Sequence, residues 1–186
     1  AGKFDETPGS ETPRLFVGAV DVESGEFRVF EDGEGGIDAV LASAAIPTLF
    51  EAVDVGDRRY WDGLFSQNPP IRHFTRAPVE EKPEEIWIVR INPKGRKRLP
   101  TRTAEIADRR NELAGDLSLE QEMDTIETIN RLVKDEVIVD DHYRHIELRE
   151  VQIGRDLDVA SKLDRDPAFI ESLVEEGERA APELWP

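Results

Sequence analysis

The stretch Leu41–Ile71, LASAAIPTLFEAVDVGDRRYWDGLFSQNPPI, limits what this chain can fold into more than any other. An apolar, alanine-rich run over Ile37–Ala45 predicts a buried helix. Ile46-Pro47 ends it, because proline lacks an amide donor and pushes its predecessor out of the helical region. Phe50–Val55 and Arg58–Trp61 then read as two short strands around Gly56-Asp57. Glycine followed by a polar residue signals a tight hairpin of the primed type. The second strand delivers Asp62 into a turn, where Gly63 can take positive φ or let another segment come close. Ordinary core packing does not call for so many breaks in so short a span, so the stretch reads as an active-site segment.

Asp62 is the candidate base. Tyr60, Trp61 and Phe65 flank it, and a carboxylate partly desolvated by such neighbours has a raised pKa and is more basic. The plainer alternative is an aspartate that caps a turn, a common arrangement before glycine. Ser43 and Ser66 are the nearby hydroxyls; neither stands between two glycines as a strained nucleophile elbow requires. His73 follows eleven residues after Asp62, and a Ser-His-Asp triad using it stays open beside a structural role. His142 and His145 with Asp140 and Asp141 have no recognisable metal-ligand spacing, so no metal site is expected.

Along the rest of the chain, residues 1–13 are polar and predict a flexible lead-in. Leu15–Val22 is a continuous apolar run, expected as a strand buried on both faces. Few further strands precede residue 86, so its sheet neighbours are expected outside this chain. Phe27–Phe30 reads as a second strand. Gly33, Gly35 and Gly36 before a helix suggest a phosphate loop, but Glu31, Asp32, Glu34 and Asp38 would repel phosphate, which favours a plain loop. Ile86–Ile91 is the clearest strand and is expected to be central. The basic cluster Lys94, Arg96, Lys97 and Arg98 reads as a solvated loop, with headgroup or partner contact as the sharper alternative.

Thr103–Leu117 and Ser118–Lys134 read as two helices, the second with a capping box at Ser118 and Gln121 and an apolar face of Met123, Ile126, Ile129 and Val133. Val137–Val139 and Arg144–Ile153 suggest strands, the latter with a bulge where its apolar face switches. Asp166 and Pro167 suit the N-cap and first position of a last helix, with Ile170, Leu173 and Val174 facing inward.

Charge narrows the partners. Against 24 basic residues stand 41 acidic ones, a net −17, which argues against nucleic acid or an anionic membrane as a main partner, since phosphate binding relies on clustered Lys and Arg. There are no cysteines, hence neither disulfides nor thiolate chemistry. No apolar run approaches the roughly 18 residues that span a bilayer. A cytoplasmic location is expected, with peripheral membrane contact as the alternative. The first residue is Ala1, which sets the expectation that translation begins upstream.

Taken together, Ala42-Ser43-Ala44-Ala45-Ile46-Pro47, Phe50, Tyr60-Trp61-Asp62-Gly63, and Asn68 with the prolines Pro69 and Pro70 resemble the second catalytic block of patatin-like phospholipases. Val20–Glu26 resembles the strand and turn that precede it. Leu113–Asn130 and Ala160–Arg165 resemble a C-terminal extension found in a bacterial branch of that family. The resemblance implies an α/β fold: residues 14–100 as part of a three-layer α/β/α domain, and 101–186 as a helical and strand extension packed on it.

It also implies a serine-aspartate dyad acting on a lipid or other acyl ester, without metal or cofactor. Asp62 matches the dyad's base, and Gly63 and Asn68 its supporting turn. Leu64 departs from the small residue usual there. No G-x-S-x-G and no glycine-rich oxyanion segment occurs in the 186 residues. A base alone does not attack an ester, and loss of even one oxyanion donor costs about a hundredfold or more. The nucleophile and oxyanion hole are therefore expected on an N-terminal portion or a second chain. The alternatives are a catalytically silent scaffold of the same fold and a small-ester hydrolase with another nucleophile.

Overall fold

The computed structural model describes residues 13–47, 49–67, 69–92, 94–96, 98–140, 142–152, 155, 157 and 159–184. It is an α/β protein that divides into two compact units, Ala1–Lys82 with Ala114–Thr128, and Pro83–Leu113 with Ile129–Pro186.

The first unit is built on a four-stranded sheet in the order β2-β1-β4-β3, formed by β1 (Phe16–Asp21), β2 (Phe27–Glu31), β3 (Val53–Val55) and β4 (Arg58–Asp62). Every pairing in it is antiparallel. β1 lies between β2 and β4, so the expectation that its neighbours come from elsewhere is corrected. The second strand of the Gly56 hairpin, β4, and the strand after Ser24-Gly25, β2, flank it. At the hairpin, Gly56 has φ 68° while Asp57 is not among the positive-φ residues. Only the first central residue is thus left-handed, the position where a primed turn of the second type places glycine.

Side chains alternate across a strand, and the register sorts them onto two faces. Val17, Ala19 and Asp21 share one face with Phe30, Tyr60 and Asp62. Helix α1 (Gly36–Ser43) packs there through Ala39 and Ala42, completing a core of Ala19, Phe30, Ala39, Ala42 and Tyr60. Alanines let the helix lie close to the sheet. Its other side is not buried as expected: Ile37 is 61% and Leu41 53% exposed. Phe16, Gly18 and Val20 face the opposite way, with Phe27 and Trp61 beside Val20. Helix α2 (Ile71–Thr75) covers this second face, its His73 and Phe74 rings 4.5 and 5.2 Å from that of Phe16.

In the second unit β5 (Glu85–Arg90) runs parallel to β6 (Glu147–Gln152). Among the described residues β5 has no other partner, so its expected central place is corrected to one side of a pair. Pairing is one-to-one from Glu85↔Glu147 to Arg90↔Gln152, and the expected bulge is absent from it. Val137–Val139 is not a strand, and Val139 is 87% exposed.

One continuous helix, α3 (Thr103–Lys134), replaces the two expected. Ser118 and Gln121 lie in its interior; its start is capped instead by the Glu105 carboxylate, which accepts the Thr101 and Arg102 amides. Residues 114–128 of α3 group with the first unit and its ends with the second.

Near the end of α3, Asn130 clasps the backbone of Ile146 in both directions, donating to its carbonyl (2.7 Å) and accepting its amide (2.9 Å). Arg96 is not solvated: it bonds the fully buried Glu112 and the carbonyl of Leu157. Lys97 lies outside the described residues. After α4 (Val159–Leu163), α5 (Pro167–Leu184) starts as expected, Asp166 Oδ1 accepting the Ala168 amide at 3.0 Å. Its Ile170 and Val174 face solvent rather than inward. No described helix is long and apolar enough to cross a membrane.

Candidate active site

Asp62 is the last residue of β4, opposite Ala19 of β1. Three bonds fix it. The β1 pairing sets its depth in the sheet, and its amide donates to the carbonyl of Ala45, just beyond α1, at 3.0 Å. Its Oδ1 accepts the Leu64 amide at 3.0 Å, capping a single 3₁₀ turn over Gly63–Phe65.

One carboxylate oxygen therefore performs the plain capping task. The other, Oδ2, has no hydrogen bond among the described residues. Burial pushes the Asp62 carboxyl above its ordinary value, against the opposing pull of the Leu64 amide. A desolvated carboxylate with an open oxygen can accept a proton from a group brought to it.

Gly63 is needed for close approach rather than for positive φ. A Cβ there would stand 2.9 Å from Phe27 Cε2 and 3.4 Å from the Gly18 carbonyl oxygen. Leu64, where the sequence departs from a small residue, is buried behind the turn. Asn68, expected to support the turn, lies outside the described residues.

The aromatic flank is only partly where the sequence suggested. Tyr60 is buried on the Asp62 face, its ring edge-on to Phe30 at 5.2 Å. Trp61 alternates to the opposite face and donates its Nε1 hydrogen to the Phe50 carbonyl at 3.3 Å. Phe65 is 46% exposed. Desolvation of Asp62 thus comes from the sheet face beneath α1 more than from a ring of aromatics.

Neither nearby hydroxyl reaches the acid. Ser43 Oγ donates to the Val40 carbonyl at 2.8 Å, and Ser66 is exposed in the turn. His73 belongs to α2, across the sheet, where its Nε2 is 3.4 Å from Glu31 and its ring lies on Phe16. The triad alternative loses its histidine on this geometry. Far along the chain, His142 is tied to Asp140, whose Oδ1 accepts both its amide and its ring. Among the described residues no group of three or more His, Asp and Glu side chains could hold a metal ion.

Two features of the site's frame escape sequence reasoning. Asp21, buried at the far end of the same face, bonds Arg58 at 2.8 Å and accepts the amides of Glu23 and Ser24. Arg72 of α2 pairs with Glu122, a buried acid on α3. The signal for a third, the ring of Phe27 over Gly18, was present: a glycine inside an apolar strand marks a close approach.

Residues 18–75 match the family model of patatin-like phospholipase. The matched segment runs from the middle of β1 to the end of α2 and holds Asp62 and Gly63, bearing out the family resemblance there. The C-terminal stretches Leu113–Asn130 and Ala160–Arg165 lie outside it. No curated protein matches the chain.

Proposed function

We propose that this chain supplies the base of a lipid acyl hydrolase: Asp62 takes the proton of a serine hydroxyl carried on an N-terminal portion or a second chain, which also bears the oxyanion donors. The match over residues 18–75 supports the hydrolase class. The observation that supports the finer reading is the carboxylate of Asp62, desolvated, held by one amide through Oδ1 and with no hydrogen bond at Oδ2 among the described residues.

In the reaction the serine oxygen attacks the acyl carbon as its proton passes to Asp62 Oδ2. The carboxylic acid so formed then returns the proton to the leaving alkoxide. A raised pKa suits the first half, since the group must bind the serine proton before giving it up to the leaving group. No metal or cofactor is required for this chemistry.

The test is to treat the protein, purified from its source, with a fluorophosphonate and locate the label by mass spectrometry. A labelled serine in G-x-S-x-G outside the present sequence, with labelling lost in Asp62→Asn, is the expected result. Label on Ser43 or Ser66 would move the nucleophile into this chain and overturn the split. No label and no ester turnover would favour a silent scaffold, for which the lack of any hydroxyl bonded to Asp62 among the described residues speaks.

A further inference from the structure

We infer that Phe27 is a positioning residue for the candidate base, its ring setting where the turn after β4 runs and thereby where the open oxygen of Asp62 points. This rests on the base assignment proposed above only for its functional consequence; the positioning itself is a matter of packing. Phe27 opens β2 opposite Val20 of β1, on the sheet face turned away from the Asp62 carboxylate.

From there its ring covers two glycines, Gly18 in β1 and Gly63 in the turn after β4. A Cβ on Gly18 would stand 2.7 Å from Phe27 Cζ, and one on Gly63 would stand 2.9 Å from Cε2. Both distances are below any real carbon contact, so the ring occupies the space that side chains at 18 and 63 would need. The exit of the turn meets the same spot: Pro70 Cδ is 3.7 Å from the Gly18 Cβ position.

Gly63, which opens the turn, and Pro70 beyond it therefore both come close to Gly18, and Gly63 does so against the Phe27 ring. Gly63 is bonded directly to Asp62, and the Asp62 Oδ1 cap on Leu64 makes carboxylate and turn move together. A shift of the Gly63 backbone is transmitted to the carboxylate, and misplacement by about 1 Å can cost a hundredfold in rate. Asp-Gly alone does not fix this geometry; the ring beneath it does.

The test is a double-mutant cycle with Gly63→Ala, Phe27→Leu and both, each read by carboxyl-carbon NMR titration of Asp62 alongside thermal unfolding. Leucine lacks the Cε and Cζ atoms that an alanine at 63 would strike. Gly63→Ala alone is expected to move the Asp62 titration toward the ordinary carboxylate range. Phe27→Leu alone is expected to do so by less, and the double variant to return most of the way to wild type.

Should Gly63→Ala not fold, rescue of its folding by Phe27→Leu is the same coupling, and failure to rescue overturns the proposal. Additive effects would overturn it too, as would Phe27→Leu lowering stability with the Asp62 titration unmoved, for the ring would then serve packing alone. The base assignment is tested apart, by Asp62→Asn turnover: its loss with no coupling in the cycle sinks the positioning role only, and its survival with coupling sinks the base role only.

Discussion

Two acids stand on one face of the same strand pair and meet opposite fates. Asp21 closes β1 opposite Tyr60, and Asp62 closes β4 opposite Ala19, so the two belong to adjacent pairs on that face. Asp21 is fully answered. Arg58 and the amides of Ser24 and Glu23 hold its carboxyl down at about 2. Asp62 receives one amide, and burial raises it. Composition and neighbours in sequence do not separate them; partners do. A carboxylate given a guanidinium and two amides is locked as an anion, whereas one given burial and a single amide is left able to bind a proton. Of the two, only the second has its affinity for a proton raised.

The comparison breaks most sharply on turnover. On the proposed base role, with the nucleophile supplied from outside the present sequence, Asp62→Asn should lower kcat by roughly 10²–10⁴, the usual weight of a positioned general base. Asp21→Asn should leave kcat on an ester substrate nearly intact at temperatures where the variant is folded. Equal losses in the two variants would mean that Asp62, like Asp21, merely holds a turn.

A third acid of this unit sharpens the contrast. Glu122 of α3 is 5% exposed at its side chain and pairs with Arg72, which is 54% exposed. Removing the exposed partner leaves a buried charge unanswered, while removing the buried one leaves a solvated guanidinium. Arg72→Ala should therefore destabilise by about 2–3 kcal/mol, and Glu122→Gln by clearly less, as read by urea unfolding. If the order reverses, partner number is not what governs these acids.

Much of the first unit was legible because its signals are local. Pro47 stops α1, Gly56 turns the β3–β4 hairpin, and Asp62-Gly63 ends it. What sequence could not show was which strand lies beside which. The antiparallel return of β4 onto β1 satisfies β1 from within the chain, though an apolar run such as Leu15–Val22 carries no mark of who its neighbours are. The same blindness to pairing misplaced Trp61, since the pleat decides the face, and left the triad alternative for His73 open until the covering helix placed it against Phe16. It also hid the approach of Phe27 to Gly63, far apart in sequence, although Gly18 inside an apolar strand signalled a close approach. In the second unit the basic cluster misled: Arg96 reads as solvated until the buried Glu112 of α3 is found beside it.

Stability against pH gives a smaller but independent check, for the two aspartates must carry opposite signs. The folded value of Asp21 lies below the ordinary 3.8, so its contribution is fully present above that value and is lost as pH falls toward about 2. Asp21→Asn should accordingly lower the Tm by several degrees at pH 7, with the gap from wild type closing between pH 4 and 2.

The smallest effect belongs to the stability of Asp62→Asn. The folded value of Asp62 lies above 3.8, so its protonated form favours the folded state: that stability is fully present below 3.8 and is lost as pH rises through the folded value. Asparagine removes the cost of burying the anion yet can still accept the Leu64 amide as a cap. At pH 7 the variant should melt at or slightly above wild type, and the difference should vanish below pH 4. An Asp62→Asn protein that is markedly less stable at neutral pH and recovers in acid would show that Asp62, too, is held as an anion by a partner, and the contrast with Asp21 would be gone.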